Sequence, residues 1–103
     1  RTTPPKPSVI NNPPWLRRFR PVFPDRALAL GLTEGRVMLS CTALPDGRVD
    51  DCVVTSEQPE DAGFGPAAIL AVRSARITPR ALDEAAPYAT VNFPVLFRGP
   101  GAP

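Results

Sequence analysis

The two cysteines are the residues here best placed to make a covalent bond between segments, and their spacing is symmetric. Cys41 and Cys52 stand at equal distances on either side of the Asp46–Gly47 step, inside the run Leu44-Pro45-Asp46-Gly47-Arg48. They are not in a C-x-x-C spacing, which argues against thioredoxin-type redox chemistry. Zinc would need two more ligands from a chain that has no histidine. The pair therefore reads as a structural disulfide formed in an oxidising compartment. The alternative is two buried free thiols that pack as small hydrophobes.

No other residue set supports a reaction. There is no histidine to act as a base, and Ser40, Ser56 and Ser74 have no partner pattern. Asp46, Asp50 and Asp51 gather at the turn and read as a solvated hairpin tip. Gly63-Phe64-Gly65-Pro66 has two glycines only, and its proline removes an N–H that a phosphate would need. The expectation is a binding module rather than an enzyme, with no metal and no cofactor.

Composition narrows what such a module could hold. The chain has 103 residues, room for one domain, and fifteen prolines that cluster toward its ends. The folded part is expected to be about 80 residues, a size at which a covalent staple helps a small core. The net charge of +2 and the lack of basic runs with interleaved aromatics argue against nucleic acid. No stretch approaches the roughly 18 apolar residues of a membrane span. Arg1-Thr2-Thr3-Pro4-Pro5 is polar and Pro-rich, so the expectation is a fragment whose targeting segment lies upstream.

The elements follow from local signals. Residues 1–14 carry Pro4, Pro5, Pro7, Pro13 and Pro14 and read as an extended linker. Trp15 is expected to dock on the domain, and Arg17-Arg18-Phe19-Arg20 to form a solvated basic face. Pro24 and Asp25 suit the start of a helix running to about Leu30, with Gly31 as its C-cap. Val37, Leu39, Cys41 and Ala43 alternate with polar or exposed positions, the period-two pattern of a strand. Pro45-Asp46-Gly47 is turn chemistry, and the return strand runs from Arg48 to Ser56.

Two registers are open for this hairpin. A two-residue Asp46–Gly47 loop sets Cys41 against Cys52, Leu39 against Val54 and Val37 against Ser56. A bulge at Gly47 after a type I turn slips the pairing by one and separates the cysteines, unless a second bulge restores the phase. The apolar pattern favours the first register, which would put the cysteines at a hydrogen-bonded site with Cα atoms about 5.5 Å apart. Phe64 is expected to plug the core edge. A helix runs from Pro66 to about Ile77, halted by Thr78-Pro79, with Ala68, Ile69, Val72 and Ala75 on one stripe. After a connection from Arg80 to Pro87, a last strand from Tyr88 to Arg98 turns Val91, Phe93, Val95 and Phe97 to one face. Pro94 inside it marks a sheet edge.

The ordered set of pieces resembles the C-terminal domain of the TonB family. It comprises Phe23-Pro24-Asp25-Arg26-Ala27, Gly35-Arg36-Val37, Pro45-Asp46-Gly47-Arg48-Val49, Gly65-Pro66-Ala67-Ala68, Pro79, and Val91-Asn92-Phe93-Pro94-Val95-Leu96-Phe97. The resemblance covers roughly residues 15–98 and is matched by the Pro-rich lead-in. The cysteine pair is not a general feature of that family.

Together these readings give an α+β fold: a small antiparallel three-stranded sheet with two helices packed on one face, in the order αββαβ. Residues 1–14 are the linker, 15–98 the domain and 99–103 a tail. The resemblance implies a periplasmic domain of an energy transducer, anchored in the inner membrane and coupled there to a proton-driven motor complex. Its partner would be the TonB box peptide of an outer-membrane transporter for siderophores, haem or cobalamin. An open edge captures an extended peptide by main-chain hydrogen bonds. The implied contact residues are Arg20, Pro21 and Val22 before the first helix, and Val91, Asn92, Phe93, Val95, Leu96 and Phe97 on the last strand. An open edge also lets two free domains pair as a homodimer. The rival readings are a TolA-like envelope-integrity domain and a secreted, cystatin-like structural or inhibitory module.

Overall fold

Two long strands joined at the Pro-Asp-Gly turn form the scaffold. In the computed structural model, which describes residues 5–99, β3 (Glu34–Ala43) and β4 (Val49–Gln58) pair antiparallel. The last strand, β6 (Thr90–Arg98), pairs antiparallel with the other side of β3 along its whole length, Leu39 opposite Phe93 and Val37 opposite Val95. Residues 1–4 and 100–103, the start of the expected linker and most of the expected tail, lie outside the described residues.

The turn takes the second of the two registers. The N–H of Gly47 donates to the carbonyl of Leu44, that of Leu44 to the carbonyl of Arg48, and Gly47 has φ +92°. This is a type I turn followed by a glycine bulge, so Ala43 faces Val49 and Thr42 faces Asp50. A second irregularity then falls at Asp51, whose φ is +50°. It restores the phase: Leu39 faces Val54 as expected, and Cys41 is bonded to Cys52. A third shift, between Met38 and Leu39, sets Val37 against Glu57 instead of Ser56.

The cysteines consequently occupy a non-hydrogen-bonded position of the ladder, because Cys41 turns its backbone groups toward β6. Their Cα atoms are 4.1 Å apart, close to the roughly 4.5 Å of such a pair and well short of the 5.5 Å expected from the simple loop. At the tip, Asp46 accepts from the backbone N–H of Arg48 at 3.0 Å and from its guanidinium at 2.7 Å. These bonds, the backbone one foremost, hold the Asp46 carboxyl below its ordinary range.

One face of the sheet is covered. Val37, Leu39, Cys41 and Ala43 of β3 and Val91, Phe93, Val95 and Phe97 of β6 are all buried. Against them pack Ala27 of α1 (Asp25–Ala29) and Phe64, Ala68 and Val72 from α2 (Phe64–Ala71) and the 3-10 turn after it (Val72–Ser74). Gly31, at φ +75°, ends α1 as expected. Phe64 does plug the core, fully buried beside Phe23 and Phe97.

The helix expected to continue to Ile77 is shorter. The chain turns extended at Ala75, and Arg76–Ile77 forms β5, paired antiparallel with β2 (Trp15–Arg17). Thr78 then starts a helix where a stop was expected. Its side chain accepts from the N–H of Ala81, and Pro79 takes the first position of α3 (Pro79–Asp83), where a missing N–H costs nothing.

A fourth strand joins the main sheet. β1 (Val9–Asn11) runs parallel to β6, and the order is β1-β6-β3-β4. It comes from the Pro-rich stretch read as an extended linker. The extended backbone that proline favours is also the conformation of a strand. Five consecutive non-proline residues there, 8–12, leave room for three of them, 9–11, to pair.

Candidate partner-binding edge

β6 is the element on which the expected site depends. A strand alternates in two ways at once: side chains between faces, and backbone groups between edges. Thr90 donates its N–H to the carbonyl of Ser8, and Asn92 accepts from the N–H of Asn12, so the even-numbered residues turn their backbone toward the β1 side. Gly99, an odd position, donates the other way, to Thr33. By the same alternation Pro94 and Leu96 point outward, and Phe93, Val95 and Phe97 bond to β3.

The expectation of a free last strand needs a correction. β1 covers Thr90, Val91 and Asn92, pairing them with Val9, Ile10 and Asn11. The edge opens beyond Asn92, where no other strand among the described residues pairs with it. What this stretch offers is the carbonyl of Pro94 and both backbone groups of Leu96. Pro94 has no N–H to give, and its nitrogen faces outward, so it leaves the β3 ladder intact.

The expected contact residues divide accordingly. Val91, Phe93, Val95 and Phe97 are buried, and their side chains shape the core instead of reaching a partner. Asn92 is half-buried and its side chain donates to Asn11. Leu96 is 62% exposed. Arg20 and Val22 are exposed and Pro21 half-buried, in a strap between β2 and α1 that packs on β6 through Phe19 against Phe93.

Aromatic rings hold that strap. Trp15 stands edge-on to both Phe19 and Phe93, with ring centroids 5.4 and 4.9 Å apart, and Phe23 meets Phe64 at the other end. Trp15 thus docks on the domain as expected. Two concavities flank the strap. One, of about 300 Å³, is lined by Asn12, Pro13, Trp15, Arg18, Phe19, Phe93 and Pro94 and sits where the edge opens. The other, of about 620 Å³, lies between Arg20–Asp25 and α2, where Val22 and Leu70 are exposed. The sequence reading missed both, as well as β1. The one signal available was the aromatic spacing of Trp15, Phe19 and Phe23, every fourth residue along the strap.

Comparisons with known proteins agree with this architecture. The family model described as the Gram-negative bacterial TonB protein C-terminal matches residues 20–98. The solution NMR structure of the Pseudomonas aeruginosa TonB C-terminal domain is 29% identical, with a TM-score of 0.65, over 86% of this chain and 88% of that one. The TonB2 protein from Vibrio anguillarum is 30% identical, with a TM-score of 0.57, over 95% of this chain and 91% of that one. No curated protein matches the chain. With a family model spanning residues 20–98 and two solved relatives of the same fold, the chain belongs to the TonB C-terminal family.

Proposed function

We propose that this domain is the periplasmic end of an energy transducer and that it grips a TonB box peptide of an outer-membrane transporter along the β6 edge. The observation that carries the reading is the outward-facing backbone beyond Asn92. The carbonyl of Pro94 and the N–H and carbonyl of Leu96 form the start of a ladder with no strand yet on it. Strand addition uses such groups for affinity and adjacent pockets for specificity. The 300 Å³ pocket between Trp15, Phe19 and Pro94 lies at the mouth of this edge and can take one side chain of the incoming peptide.

In this reading Arg20, Pro21 and Val22 contact the same peptide from the strap, and force on the grip opens the transporter for siderophores, haem or cobalamin. The force originates in an inner-membrane anchor and its proton-driven motor complex, as in the family. No enzyme activity is assigned. Pairing of two free domains through the same edge would compete with the peptide.

The test is an NMR titration of the oxidised domain with synthetic TonB box peptides. Shifts concentrated on Asn92–Phe97 and around Arg20 are expected. A well-folded spectrum with no shifts at millimolar peptide would sink edge capture, and weight would move to a TolA-like client.

A further inference from the structure

We propose that the segment from Pro7 to Asn12 is an intramolecular competitor for the β6 edge, and that a partner peptide reaches the full edge only by exchanging with β1. This inference rests on the edge-capture reading above.

β1 pairs with Thr90, Val91 and Asn92, the half of the edge nearest the start of β6. It uses the backbone groups a guest strand would use: Thr90 donates to Ser8, and Asn92 accepts from Asn12. Beyond it the edge is poorer, because Pro94 supplies an acceptor and no donor. A peptide confined to the open stretch makes few main-chain bonds. A peptide that also takes Thr90 and Asn92 regains the main-chain bonds that β6 makes to β1, so the exchange gives up only the peripheral bonds of the segment.

β1 is held in a way that permits this. Ile10 is its single half-buried side chain against the core, Val9 is 49% exposed and Asn11 is exposed. The remaining ties are peripheral: Ala86 N–H to the carbonyl of Pro7, Lys6 Nζ to the carbonyl of Asp83, and Asn92 Nδ2 to Asn11 Oδ1. Past Asn12, at φ +52°, the chain leaves the sheet through Pro13 and Pro14. It is secured independently there, with Thr78 donating to the carbonyl of Pro14 and Trp15 paired to Ile77. Release of β1 therefore stops at this clamp and leaves the core and the strap in place, with the pocket losing only its Asn12 wall.

The experiment follows amide exchange in the whole chain while a synthetic TonB box peptide is added. Exchange makes a specific signature: the Asn12 amide, which loses its acceptor, speeds up, whereas the Thr90 amide stays protected because it changes partner. The Ile10→Asp variant, with β1 loosened, should bind the same peptide about ten-fold more tightly, as the competing state no longer depletes the competent one. If Ile10→Asp fails to fold, the wild-type exchange signature decides alone. Peptide binding at Leu96 with Asn12 still protected, or equal affinity in the two proteins, overturns the competitor and leaves edge capture standing. No perturbation at Leu96 or Thr90 in either protein removes both.

Discussion

The ring of Phe64 lies directly on the backbone of Gly35: a Cβ added at position 35 would stand 2.5 Å from Cζ of the ring. Phe23 and Phe97 back the ring, with centroids 5.4 and 5.0 Å away, so it has little room to retreat. Gly35 is thus chosen by packing, without any unusual backbone angle. Gly35→Ala should lower stability by about 1–3 kcal/mol, the cost of overpacking a filled core. Denaturant unfolding measures it, and a midpoint equal to wild type would mean the ring can move after all.

Reduction of Cys41–Cys52 should destabilise the domain by about 2–3 kcal/mol, the value for a loop of this length. The comparison is urea unfolding with and without reductant, with a Cys41→Ala/Cys52→Ala double variant as control. Because β3 is paired on both sides, the reduced protein should keep its fold. A collapse of the amide spectrum on reduction would contradict this.

Asp46 gives a pH dependence whose sign is fixed. Its carboxyl is held below the ordinary range by the backbone N–H and guanidinium of Arg48, so the ionised form favours the folded state. That contribution is present above the ordinary carboxylate pKa and is lost as the pH falls through the depressed one. The site is open to solvent, and the effect is small. Melting temperatures of wild type and Asp46→Asn should therefore differ at neutral pH and converge in acid; parallel curves would exclude the tip as a contributor.

Leu96→Pro separates main-chain capture from side-chain contact. The N–H it removes faces outward and has no part in the β3 ladder, so stability should change by less than about 1 kcal/mol. Peptide binding should weaken five- to ten-fold, about 1–1.5 kcal/mol for one hydrogen bond. Leu96→Ala, which keeps the N–H, should lose less. Titration calorimetry on both variants checks the order, and the reverse order would assign the affinity to the leucine side chain.

The parts of this fold that were legible in the sequence are those with long periodic signals. Val37 to Ala43 and Val91 to Phe97 alternate over enough residues to declare both strand and buried face, and the cysteines identified the hairpin. What was hidden is short. β1, β2 and β5 have two or three residues each and no period to read, and their pairing is decided by tertiary neighbours. Thr78-Pro79 carried two messages, a helix stop and an N-cap with proline at the first turn, and only the first was taken. The hairpin register turned on Asp51 adopting a positive φ, which an aspartate tolerates but does not advertise. Pro94 pointed to an edge on β6, and the strand is open beyond Asn92, while its covered half is not readable from a segment that reads as linker.

The Cys41–Cys52 bridge also sets how far the domain can be drawn out. The eleven-residue separation it spans cannot lengthen under tension, which removes about 32–36 Å of contour, eleven residues at roughly 3.3–3.6 Å each less the 4.1 Å between the bridged Cα atoms. A domain pulled apart in a single-molecule stretching experiment should therefore yield a step shorter by that amount when oxidised than when reduced. Under load the bridge works as a fixed stop: the hairpin can be torn from its neighbours, yet the chain draws out less far.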